Sequence, residues 1–77
     1  MNEKQQITYM QARIIRLASE KWNVPVKEIG SIFTEFRVFR FIRDCFELFH
    51  VEGDEAVLEE VGSYLAYKGA RIRGKTS

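Results

Sequence analysis

Residues 38–49 read Val38-Phe39-Arg40-Phe41-Ile42-Arg43-Asp44-Cys45-Phe46-Glu47-Leu48-Phe49. Placed on a helix at about 100° per residue, Arg40, Arg43, Asp44 and Glu47 share one face. Opposite them Val38, Phe39, Phe41, Ile42, Cys45, Phe46, Leu48 and Phe49 cover roughly a half-turn, wider than the ~100° apolar stripe of a surface helix. A helix this apolar has to lie at the centre of a domain, and it predicts an all-α fold. Its charges offer two i,i+4 pairs, Arg40 with Asp44 and Arg43 with Glu47, each contributing a few tenths of a kcal/mol.

Working outward, Asn23-Val24-Pro25 interrupts the apolar pattern that precedes this stretch, because proline fixes φ and is tolerated only in a first helical turn. Before the break, Ile7, Met10, Ile14, Ile15, Leu17, Ala18 and Trp22 fall on one side of a helix, with Tyr9, Arg13, Arg16 and Glu20 on the other. After it, Val26, Ile29, Ile32, Phe33 and Phe36 mark a shorter helix. Beyond residue 49, Gly53-Asp54 resets the backbone, and Asp54, Glu55, Glu59 and Glu60 put negative charge on the opening turns of a last helix. Its stripe is Val57, Leu58, Val61, Tyr64 and Leu65, and Lys68-Gly69 supplies a cation in the last turn and a C′ glycine. Gly62 inside it points to close approach by a neighbouring helix. The expected architecture is a compact bundle of about four short helices, near 5–22, 25–35, 38–49 and 54–68, in one domain over 1–77 with a frayed tail at 73–77.

All six phenylalanines lie between Phe33 and Phe49, which supplies a core dense for a chain of 77 residues. A domain of this size buries about 60% of its unfolded surface, so apolar side chains can be left over for a partner. Twelve Lys and Arg against eleven Asp and Glu give a net charge of +1. No field follows from that total to attract nucleic acid or an anionic membrane. The acids of Glu52–Glu60 and the bases of Lys68–Lys75 are segregated and could offset each other. One cysteine cannot close an intramolecular disulfide, and one histidine leaves no structural zinc set, which fits a reducing, cytoplasmic setting. Neither a signal peptide nor a membrane span is expected, nor any cofactor or metal.

Chemistry-bearing residues are sparse. His50 falls at the end of the third helix, where it can bond the last carbonyls. Cys45, five residues away, is turned about 140° from it and reads as a small core residue, so thiol catalysis finds no pair. Glu52, Asp54, Glu59 and Glu60 do not follow calcium-loop spacing. Helix, turn and helix over 22–49 outlines a DNA-binding motif, but Asp44 and Glu47 share the face of Arg40 and Arg43 and would repel phosphate. No catalytic role is expected. Two protein-binding surfaces remain: Phe39 and Phe46 on the arc's flank beside Arg40 and Arg43, and Tyr9, Arg13 and Arg16 on the outer face of the first helix.

Gln11-Ala12-Arg13-Ile14-Ile15-Arg16-Leu17-Ala18, then Phe39 and Phe41-Ile42-Arg43, then Phe49-His50-Val51-Glu52-Gly53-Asp54-Glu55-Ala56-Val57-Leu58 resemble a family of small bacterial helical proteins catalogued as a domain of unknown function. The likeness runs from about Ile7 to Ile72, and its motifs are core and capping patterns. It implies a stand-alone domain whose genes often neighbour a predicted ADP-ribosyltransferase-like toxin, and so an antitoxin or immunity partner that binds and silences that toxin. The expectation is therefore a non-catalytic protein-interaction domain with a protein partner. The rivals are a small DNA-binding regulator and a self-associating module that pairs as a homodimer.

Overall fold

A computed structural model describes residues 2–72, and the tail expected at 73–77 lies outside them. Among the described residues there are five helices: α1 (Glu3–Trp22), α2 (Val26–Glu35), α3 (Val38–Asp44), α4 (Phe46–Phe49) and α5 (Asp54–Tyr67). The all-α bundle expected from the sequence is the fold, with its third helix divided in two.

Local chemistry sets each boundary. Asn2 opens α1 with a capping box: its side chain accepts from the Gln5 amide at 2.8 Å, and Gln5 reaches back to the Asn2 amide. Asn23 closes α1 in the left-handed region at φ 55°, which asparagine tolerates better than most residues, and Ser19 Oγ donates to the Val24 carbonyl at 2.6 Å. Pro25 stands just before α2 as its cap. Lys68 caps α5, and Gly69 follows at φ 80°. The Gly69 amide bonds the Ala66 carbonyl at 3.1 Å and the Ala70 amide bonds Leu65 at 2.9 Å, the paired bonds of a Schellman ending.

The core runs through every helix. Met10, Ile14 and Ala18 of α1 meet Ile29 and Phe33 of α2, Val38 and Ile42 of α3, Phe46 and Phe49 of α4, and Val57, Leu58, Val61 and Leu65 of α5. Each such large side chain contributes about 1.5–3 kcal/mol by leaving water. The central position assigned to the third helical stretch holds, since α3 packs against α1, α2 and α5.

Three expectations need correcting. The helix expected over 38–49 breaks at Cys45, whose φ −102° and ψ 12° leave the helical range. The buried part of the apolar arc is narrower than its half-turn and is centred off its middle. Phe46, on one flank, is only 6% exposed, while Leu48, on the other, is 67% exposed. Val26, one of the apolar positions that mark α2, is exposed at its first turn. Finally, what approaches Gly62 is the Trp22 indole, 3.7 Å from where a Cβ would sit, an ordinary contact distance. A side chain therefore fits there, and no helix backbone requires the glycine.

Candidate functional site

The two surfaces expected from the sequence meet, in part, at one cleft. It lies where α1 passes the α4–α5 turn and has a volume of about 240 Å³. Gln6, Tyr9, Met10 and Arg13 line it from α1, and Phe46, His50, Glu52 and Asp54 from the facing segment. The spacing of Gln6, Tyr9, Met10 and Arg13, three and four residues apart, puts all four on one side of α1. The break at Cys45 and the turn at 50–53 bring the opposing residues round to meet them.

Arg13 is fixed across the cleft by its Nε, which donates to Asp54 Oδ2 at 3.0 Å. The pair is half exposed, so it contributes little to stability, but it holds the guanidinium in one place. Tyr9 stands beside it with 54% of its surface open. Phe46 and Met10 are buried and contribute only what apolar surface reaches the cleft. The His50 ring leans on Phe46 at 5.3 Å between centroids and 31° between planes. Its backbone amide bonds Phe46, but its side chain makes no hydrogen bond to the last carbonyls, so the expected capping role is not what this histidine does. Glu52 Oε1 is withdrawn from solvent and accepts no hydrogen bond from the protein. Such an acceptor rewards any donor that reaches it.

The expected aromatic pair of the third helix is not exposed as a pair. Phe46 belongs to the core. Phe39 is half-buried, packed edge-on to Phe33 at 5.7 Å, and its carbonyl accepts from Gln11 Nε2 at 2.9 Å. Arg40 and Arg43 are exposed and converge on one carboxylate, with Nε at 3.7 and 3.6 Å from Asp44. Arg40–Asp44 is thus formed as expected. The Arg43–Glu47 pair is not, because the break at Cys45 removes the i,i+4 geometry it needs. Arg16 is exposed on the outer face of α1 with no ion pair among the described residues.

Elsewhere the charges are arranged differently from the segregated runs. The acids at the start of α5 are met by α1: Asp54 by Arg13, and Glu55 by Lys21 Nζ at 2.8 Å. The Lys21 ammonium holds the Glu55 carboxyl below its usual range, and the carboxylate in turn raises Lys21. Lys68 lies over the Tyr64 ring at 5.6 Å. Cys45 sits at the edge of the core, where burial, then the carboxylates of Asp44 and Glu60, push its thiol up. No helix among the described residues is long and apolar enough to cross a membrane, and no three of their His, Cys, Asp and Glu side chains are grouped to hold a metal ion.

Sequence reasoning reached Tyr9, Arg13 and Phe46 but not His50, Glu52 or Asp54 as parts of one place. The missing signal was long-range, since Arg13 and Asp54 are 41 residues apart. Comparison with curated proteins and with solved structures finds no match. Comparison with protein families does: the family described as a protein of unknown function, DUF3791, matches residues 9–68, which include α2 to α5 and most of α1. By that match this chain belongs to the DUF3791 family.

Proposed function

We propose that this chain is a non-catalytic protein-binding module and that it docks its partner over the α1–α4–α5 cleft. The observation that carries the reading is the placement of an exposed Tyr9 beside a pinned Arg13 at the rim of a partly apolar hollow. Tyrosine and arginine are the side chains on which interface energy concentrates, and a guanidinium already held in place loses less freedom on binding. Arg16, further along the same outer face of α1, extends the surface toward an acidic partner.

The partner is an ADP-ribosyltransferase-like toxin encoded beside this chain, as the sequence resemblance implies, and inhibition is steric. Co-expression of the two followed by purification tests this. Co-purification together with rescue of growth supports it, and loss of both in a Tyr9→Ala, Arg13→Ala double variant that stays helical places the contact at the cleft. Failure of the wild-type chain to co-purify or to rescue growth overturns it.

A further inference from the structure

The outer face of α2 carries a groove of about 560 Å³ that plays no part in the cleft. Lys27, Gly30, Ser31, Thr34 and Glu35 line it from α2, and Phe39 closes it from α3. The core side of the same helix is Ile29 and Phe33, so the groove lies on the outer face of α2, along the flank that α3 borders.

Its charges are arranged with unusual economy. Lys27 stands at one end and Glu35 at the other, eight residues or about 12 Å apart along the axis. Neither has an ion-pair partner among the described residues. Ser31 lies midway between them. A two-fold axis through Ser31 would therefore set Lys27 of one copy opposite Glu35 of another, and the reverse, in a single antiparallel crossing. Such a surface is complementary to itself, which is what an isologous dimer requires.

The crossing point suits close approach. A Cβ built at Gly30 meets nothing within 4 Å, so the backbone is open to a neighbour there. Ser31 Oγ donates to the Lys27 carbonyl at 3.3 Å and Thr34 Oγ1 to the Gly30 carbonyl at 2.9 Å. Both hydroxyls take their partners from their own helix, so covering them strands no donor. Phe39, half-buried against Phe33, offers the apolar surface that a second helix can complete.

We infer that α2 pairs antiparallel with α2 of a second copy of this chain, with Lys27 and Glu35 forming reciprocal ion pairs about Ser31. This contact is independent of the cleft proposed above. Sedimentation of the full chain at about 10 μM and about 1 mM, for wild type, Lys27→Glu, Glu35→Lys and the double exchange, tests it. The wild type is expected to shift from the 9.0 kDa monomer toward twice that mass. Each single exchange sets like charges opposite each other at both ends and is expected to weaken dimerisation about tenfold or more. The double exchange reverses both pairs and is expected to restore it. Both substituted positions are on the surface, and unchanged helical circular dichroism verifies that the variants fold. A wild type that stays monomeric at the higher concentration overturns the inference. So does a dimer indifferent to the single exchanges, or a folded double variant that remains a monomer.

Discussion

The Tyr64 hydroxyl donates a 2.7 Å hydrogen bond to the backbone carbonyl of Phe36, joining α5 to the residue that caps α2. The same ring lies flat on Phe41, 4.3 Å between centroids and 14° between planes. One side chain thus secures α5 to both α2 and α3. Tyr64→Phe keeps the stacking and removes only the bond, leaving a carbonyl near the helix end without that donor. The expected loss is about 1 kcal/mol, read as a lower urea midpoint with unchanged slope. A midpoint equal to wild type would mean that solvent replaces the hydroxyl there.

Arg37, between α2 and α3, is held at φ 59°, where a side chain other than glycine or asparagine is strained. Arg37→Gly should raise stability by about 0.5–1 kcal/mol, the relief of that strain less the added freedom of glycine in the unfolded chain. In a domain of this size each kcal/mol is worth roughly 4–8 °C in Tm. A fall in Tm would show that the arginine side chain contributes more than its backbone costs.

Gly62→Ala should also stabilise, by about 0.5–1 kcal/mol of helix propensity, because Trp22 stands at contact distance and not closer. Gly69→Ala should do the opposite by about 1 kcal/mol, since φ 80° suits glycine alone in the Schellman ending. Thermal melts of the two variants are expected to move in opposite directions from wild type.

Lys21 and Glu55 give the fold a small pH dependence at both extremes. Glu55 titrates below its ordinary value, so its contribution is present above the unfolded value near 4.3 and is lost as pH falls through the lower folded value. Lys21 titrates above its ordinary value, so its contribution is complete below about 10.4 and is lost as pH rises through the higher folded value. Carboxyl NMR should place the Glu55 midpoint below that of free glutamate, and Lys21→Gln should return it. Added salt should narrow the difference, as both groups are in solvent.

The Cys45 thiol should react slowly. Burial and the nearby carboxylates of Asp44 and Glu60 disfavour its thiolate, so alkylation by iodoacetamide near pH 8 is expected to lag behind that of a free cysteine. Glu60→Gln should accelerate it modestly, because Glu60 is the smallest of the three causes. A rate equal to that of the free amino acid would place the sulfur outside the core's edge.

Helix positions were legible in the sequence wherever a local signal marked them. Asn23-Val24-Pro25 ended one helix, Gly53-Asp54 began another, and Lys68-Gly69 closed the last. The break at Cys45 carries no glycine or proline, and nothing in 38–49 announces it. Which flank of that stretch is buried depends on what covers it: Met10 and Phe46 line a common cleft beside α1, while Leu48 is left exposed. The cleft was legible only in halves. Tyr9 and Arg13 follow from α1 periodicity, but their meeting with Phe46 and Asp54 depends on how far the chain turns between α4 and α5, which no spacing specifies.

The apolar side of α1 packs more against α5 than against any one helix made before it. At about 5–20 residues per second, some 2 to 9 s of synthesis separate the end of α1 from the end of α5. Until α5 emerges, the core that α1 forms with α2 and α3 lacks Val57, Leu58, Val61 and Leu65. The window for capture by a chaperone or protease therefore opens early and closes only once α5 has been made. A translation stop placed anywhere before α5 would yield an insoluble or rapidly degraded fragment, not a smaller working domain.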